Sequence, residues 1–557
     1  MKNYKKYINI SLILLIFGLF TAASHAQNVS EKLLVNFPDG DIPNSYYVKY
    51  DKLTGAYAYS KVDTTNSGAR LITAKGTSAQ YYGINVVNTF FDRSGNVYCA
   101  AYNYSDKDST TTYYLLKNDE QVFTCEGLTD NWIERNGTLY FKMRENHKEY
   151  FSMLDLSSGA ISKGKAYDTI FYMYYLPDNP EVEGDPPPYP GFTPGGKYYY
   201  GAILDGKRFI VIDGVEQKAY SDIDSYNTAF DKNGTLVYVA TDEGSLNDYD
   251  HPVNEFIVQG DKEYSKFSYI YGPINFYSGN IPYYIGAQKI SSSVSLMKAI
   301  GGSTELSKSY SGVSEIQYTA SGKLAYTASN DLGNGKIESY IIVDGKESQK
   351  YDNVFNLTFD GDTPVFVETK GEKQFVVKGD KKISESFQSI NFYRLFKDGT
   401  LYYVAYNIGD NTPNKPDENY VFIGDKKLGP FVSISNGHEA DDPNIIVDST
   451  GGYIFAGSTL VDKKNNTYKE TVYWLKGRSG PFDEVENIGL CNGKAVFMGY
   501  KFSDNDEHPS KGKLNIDGKD VGGFYDNISD FEMNAKENKV SFIGVRDGSA
   551  YYVEVKL

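Results

Sequence analysis

Histidine, tryptophan and cysteine are scarce in this chain of 557 residues, at 5, 2 and 3 copies, and each scarcity closes a route. Cys99, Cys125 and Cys491 are odd in number and lack metal-ligand spacing, so they make no disulfide framework. They are expected to pack as small apolar side chains, with a single bridge between Cys99 and Cys125 left open. His147, His251, His438 and His508 lie far apart, without the two-on-one-face spacing of a zinc hydrolase. No Gly-x-Ser-x-Gly run is present, which removes the strand-turn-helix nucleophile of the common hydrolases. Basic residues are outnumbered 56 to 72, a formal net charge of −16, so phosphate backbones and anionic membrane surfaces are repelled rather than recruited. Nucleic acid is therefore excluded as a partner, while cations, glycans and proteins remain. No long window carries an apolar period of 3.6 residues, and helices should be nearly absent.

Long apolar runs are missing except at the start, where Lys2, Lys5 and Lys6 precede Ile8 to Phe20 and Ser24-His25-Ala26 supplies small residues. The run is short for a bilayer span, so residues 1–26 read as a signal peptide cut after Ala26. The mature chain is expected outside the cytoplasm, in a periplasm, on an outer surface or free in the medium, with no transmembrane anchor after cleavage.

Against these scarcities stand 51 tyrosines and a repeat. An aromatic, two mostly polar residues and a β-branched residue recur at Tyr167, Tyr220, Tyr310, Tyr351, Phe387, Phe431, Phe482 and Tyr525, as in Tyr167-Asp168-Thr169-Ile170, with a degenerate copy at Tyr264-Ser265-Lys266-Phe267. Within each step, of about 45 residues, four short β-rich runs alternate with turns such as Asn136-Gly137, Asp344-Gly345 and Asp517-Gly518. Four antiparallel strands per step describe a propeller blade, whose neighbours must stack to bury both faces. A β-sandwich array is the alternative, but it would not hold one motif phase along the whole chain.

Second strands are expected to start near Ala56, Asn96, Thr138, Lys197, Thr235, Ile281, Lys323, Thr363, Thr400, Gly452, Lys494 and Lys539. That gives about twelve blades, and rings of four to eight suggest two tandem propellers, 27–310 and 311–557. The chain ends on a third strand, and residues 31–37 are the segment free to close the last blade. One stretch breaks the period, Leu176 to Pro194, where Asp185-Pro186-Pro187-Pro188-Tyr189-Pro190 reads either as a stiff excursion or as a polyproline ligand.

Thr193-Pro194-Gly195-Gly196-Lys197, Thr319-Ala320-Ser321-Gly322-Lys323 and Phe396-Lys397-Asp398-Gly399-Thr400 resemble the Ser-Pro-Asp-Gly-Lys repeat of TolB-like, WD40-like propellers. Neither the α/β domain of TolB nor the Trp-Asp dipeptide of WD40 blades has a counterpart here. The resemblance implies ligand binding on the face that carries the second-strand loops. Those loops are acidic, and the binding candidates they offer are Asp106, Asp108, Asp248, Asp250, His251, Asp410, Asp504, Asp506 and His508. No cofactor or resident metal is expected, calcium being the ion such oxygen donors would suit. No catalytic group stands out. The expectation is an exported, non-catalytic binding or scaffolding propeller that engages a protein or glycan; the alternative is a carbohydrate-active enzyme, a glycoside hydrolase or lyase using carboxylates on the same face.

Overall fold

The computed structural model describes residues 29–37, 48–63, 68–129, 132–173, 191–246, 254–277, 280–290, 293–300, 303–333, 335–396, 398–409, 416–435, 445–462, 464, 467–502 and 511–557. Among them there is no helix, and the strands form twelve antiparallel sheets of four strands, three of which carry a short extra strand beside the second. The second strands begin at Tyr57, Val97, Thr138, Tyr198, Leu236, Ile281, Leu324, Thr363, Leu401, Tyr453, Lys494 and Lys539, each within one residue of its expected start.

These sheets are β-propeller blades, because their apolar residues meet between consecutive sheets. Ile210 and Tyr220 join Leu236, Tyr238 and Phe256 of the next sheet in one cluster. Val496, Met498 and Leu514 join Val540, Phe542 and Val553 in another. Burial on both faces is why second strands lose strand alternation, as in Leu236–Thr241, all six residues of which are buried.

Two kinds of turn set the register. Between second and third or third and fourth strands, Asp205-Gly206, Asp344-Gly345 and Asp517-Gly518 place both central residues at positive φ, near 50° and 75°, as type I′ turns require. Between several first and second strands the turn is longer, and only its glycine is left-handed, as at Gly95, Gly234 and Gly451. There a side chain caps the turn: Asp231 Oδ1 accepts from the Asn233 and Thr235 amides, both at 2.9 Å, and Asp92 and Asp448 do the same.

The repeated motif now has a physical account. Its aromatic is buried against the neighbouring blade, from Tyr167 and Tyr525 at 0% exposure to Phe482 at 9%. The second position caps the end of the following second strand, as Asp168 accepts from the Asp205 amide at 2.8 Å and Asp483 from the Phe502 amide at 3.0 Å. The fourth position donates its amide to a carboxylate on the preceding third strand, Ile170 to Glu149 at 2.6 Å and Ile270 to Glu255 at 2.8 Å. The last pair corrects the phase of the degenerate copy. Phe267, 1% exposed and bridged to Glu255, is the motif aromatic, while Tyr264 is only half-buried.

Tyrosine in the motif adds a bond to the next blade's fourth strand: Tyr220 to Glu263 and Tyr310 to Glu347, both 3.0 Å. Tyr525 makes the same bond with Glu31, on Val29–Asn36. That N-terminal strand pairs antiparallel with Ser549–Lys556, Val29 opposite Val555, as fourth strand of the sheet that holds the last residues. Arg546 also binds Glu31, at 2.6 Å, through space left by Gly523, where a Cβ would meet the guanidinium at 2.1 Å.

The chain divides into two compact units, residues 1–62 with 387–557, and residues 63–386. The expected cut near 310 assumed one continuous segment per unit; the return of the N-terminal strand to the C-terminal sheet makes one unit discontinuous. The three cysteines are buried and free. Cys99 lies on a second strand and Cys125 at the end of the fourth strand of the same sheet, with Thr110–Lys117 between them, so no bridge forms. Residues 1–26 and Asp185 to Pro190 fall outside the described residues.

Candidate functional site

Of the acidic loop residues, only Asp106 and Asp108 are described; Asp248, Asp250, His251, Asp410, Asp504, Asp506 and His508 lie outside the described residues. Asp108 serves its own hairpin. It accepts from the Thr110 hydroxyl at 2.8 Å and the Thr110 amide at 3.3 Å, and bonds to Ser105 and Thr110 hold its carboxyl below the usual range. Among the described residues no group of three or more His, Cys, Asp or Glu side chains is placed to hold a metal ion.

What gathers beside this hairpin is tyrosine. Val97–Ser105 and Thr110–Lys117 pair so that Tyr102 faces Tyr113, and alternation puts Tyr104 on the same face as Tyr102. Tyr82, just before the first strand, closes the row: its ring lies 5.8 Å from that of Tyr102 and 6.1 Å from that of Tyr104, and Tyr102 lies 6.0 Å from Tyr113. Its position is fixed by its amide, which donates to Asn103 Oδ1 at 2.8 Å. Gly83, opposite Tyr102, lets that ring lie across the first strand, since a Cβ there would come within 2.5 Å of it. Tyr82 is 55% and Tyr104 41% exposed, a large apolar surface to leave in water.

The row leads into a cavity of about 240 Å³ between this blade and the next, lined by Tyr113, Glu126, Thr129, Lys142, Arg144 and Glu149, with Gly127, Leu128 and Met143. Its charges are balanced. Lys142 pairs with Glu149 at 3.1 Å and also donates to the Ile170 carbonyl at 3.2 Å. Glu126 accepts from the His147 amide at 2.9 Å, and that bond holds its carboxyl below the usual range. Arg144 stands exposed at the rim.

Carboxyls with raised pKa are elsewhere. Burial pushes Glu255 up to about 7, and burial likewise raises Glu470. Both are used by the fold: Glu255 accepts from the Ile270 amide, and Glu470 from the Ser458 hydroxyl at 3.2 Å and the Val485 amide. Neither is part of the tyrosine-lined cavity.

Sequence reasoning found the hairpin but not the tyrosines, because in a chain with 51 of them one more Tyr-x-Tyr carries no signal. The one local cue was Tyr82-Gly83 set against Tyr102-Asn103-Tyr104 across a strand pair, and it needs the register to be read.

No protein family matches the chain, and no curated protein is similar to it in sequence. Solved structures, a β-propeller domain among them, match the chain over part of its length. The crystal structure of a eukaryotic initiation factor is 10% identical, covering 68% of this chain and 94% of its own at a TM-score of 0.33. The β-propeller domain of the Trilobed protease from Pyrococcus furiosus is 13% identical, covering 52% and 95% at 0.25. TolB from Acinetobacter baumannii is 13% identical, covering 54% and 79% at 0.19. These are likenesses of blade architecture alone.

Proposed function

We propose that this is an exported, non-catalytic binding protein whose tyrosine row at Tyr82, Tyr102, Tyr104 and Tyr113 takes a saccharide. The observation that carries the reading is the continuity of the row, from exposed rings into a cavity with polar walls. A sugar ring has an apolar C–H face and an edge of hydroxyls. Aromatic rings with a polar tip suit the face, and the planar Arg144 and Glu126 groups with Thr129 suit the edge. Catalysis is disfavoured by the same cavity. A glycosidic acid must hold its proton near neutral pH, whereas Glu126 is held ionised by the His147 amide and Glu149 is committed to Lys142 and the Ile170 amide.

The test is titration of the purified chain against a panel of soluble oligosaccharides. A bound sugar should lose at least about tenfold in affinity in a Tyr82→Ala, Tyr104→Ala double variant whose melting temperature is unchanged, since both rings are exposed. Equal affinity in the double variant overturns the site. New reducing ends during incubation overturn the non-catalytic reading in favour of a carbohydrate-active enzyme, and failure of the whole panel with capture of a protein partner overturns the saccharide.

A further inference from the structure

Two-residue turns join most third strands to their fourth. Asn118-Asp119, Asp213-Gly214, Gly260-Asp261, Asp344-Gly345, Gly379-Asp380, Gly424-Asp425 and Asp517-Gly518 each carry an aspartate. Ala74-Lys75 carries none, nor does the turn joining Thr467–Trp474 to Gly477–Phe482, Leu475-Lys476 followed by Arg478. Leu475 is 56% exposed, and Lys476 and Arg478 are exposed beside it. Among the described residues neither cation has an ion-pair partner, in a chain with sixteen more acidic than basic residues.

This turn forms one wall of a cavity of about 390 Å³. The other walls are Lys426 and Leu428 from the preceding blade, with Tyr453, Tyr473 and Trp474. No carboxylate lines it. Lys426 donates to the Tyr453 hydroxyl at 3.0 Å, which places its ammonium at the cavity wall. The floor is preorganised: the Tyr473 ring is stacked 5.2 Å from Phe455, while the Trp474 indole packs on the other face of its strand, against the next blade. Three cations over apolar and aromatic walls form a receptor for an anion carried on an apolar-faced body.

We propose that this cleft is a second binding site, for an acidic sugar, a saccharide unit bearing a carboxylate or sulfate. A ring of that size fits the volume, its charge answers Lys426, Lys476 and Arg478, and its C–H face answers Leu475, Tyr453 and Tyr473. The site stands apart from the tyrosine row, and its test fails or succeeds independently of that reading.

Isothermal titration calorimetry of the purified chain tests it. Millimolar D-glucuronate should bind saturably, D-glucose should not, and raising NaCl to about 0.5 M should weaken the binding. Adding Lys476→Gln and Arg478→Gln should raise the apparent Kd at least about tenfold while the circular dichroism and melting temperature stay as they were. Equal responses to glucose and glucuronate overturn the proposal, as does an unchanged Kd in the charge variant. Saturation by inorganic sulfate at the same concentration as glucuronate also overturns it, because the cleft would then read charge and not a sugar acid.

Discussion

Burial holds the Glu255 carboxyl protonated until about pH 7, and its working oxygen is spent on the Ile270 amide. Because the folded chain binds this proton more tightly than the unfolded one, the stability it confers is present at low pH and lost as pH rises from about 5 through 7. A Glu255→Gln variant keeps the acceptor and has no proton to lose. Its unfolding free energy relative to the parent should therefore climb between pH 5 and 8, by an amount on the order of 2 kcal/mol, at about 1.4 kcal/mol per tenfold change in proton affinity. A pH-independent difference would refute the assignment. At this scale the sequence was least legible. A glutamate one residue into a third strand looks like any of the acidic residues until the register puts it opposite Phe267, and the tyrosines of the candidate site were hidden by their own abundance.

The strand is the scale at which the sequence spoke most clearly. Second strands were placed within a residue because turn chemistry is local: an Asp-Gly pair at positive φ, or an aspartate capping amides two and four residues on, marks the boundary without help from tertiary contacts. The phase slipped at Tyr264 because Phe267-Ser268-Tyr269-Ile270 offers two aromatics, and only burial decides which is the anchor. The strand Val29–Asn36 contributes a full ladder to Ser549–Lys556, the Glu31 bonds to Tyr525 and Arg546, and Val29 packed against the core of the last two blades. Deleting Val29 to Asn36 should lower the melting temperature by roughly 5–10 °C, and a synthetic peptide spanning Val29 to Phe37 should restore it when added in trans. An unchanged melting temperature on deletion would show that the edge of Ser549–Lys556 needs no cover.

For the molecule as a whole, blade chemistry set the fold, while the make-up of the two units was beyond local reading, because one of them includes a pairing across nearly the full chain. Export is an expectation read from residues 1–26 and has its own test. Mass spectrometry of the protein recovered outside the cytoplasm should give Gln27 as its first residue; recovery with Lys2, Lys5 and Lys6 retained would show an uncleaved anchor in place of a signal peptide.

The pairing of Val29–Asn36 with Ser549–Lys556 also fixes an order of events. Of the described strands, the one synthesised before all the others has as its neighbour the one synthesised after them. Each blade within the chain can finish from residues close by, but this sheet must wait for translation to deliver its partner, and loop closure over so long a separation is slow. Until then the early strand has unpaired edges and apolar side chains exposed. A nascent chain held unfolded through that interval, as passage across a membrane before folding would hold it, is spared wrong pairings that a chain folding as it left the ribosome would meet.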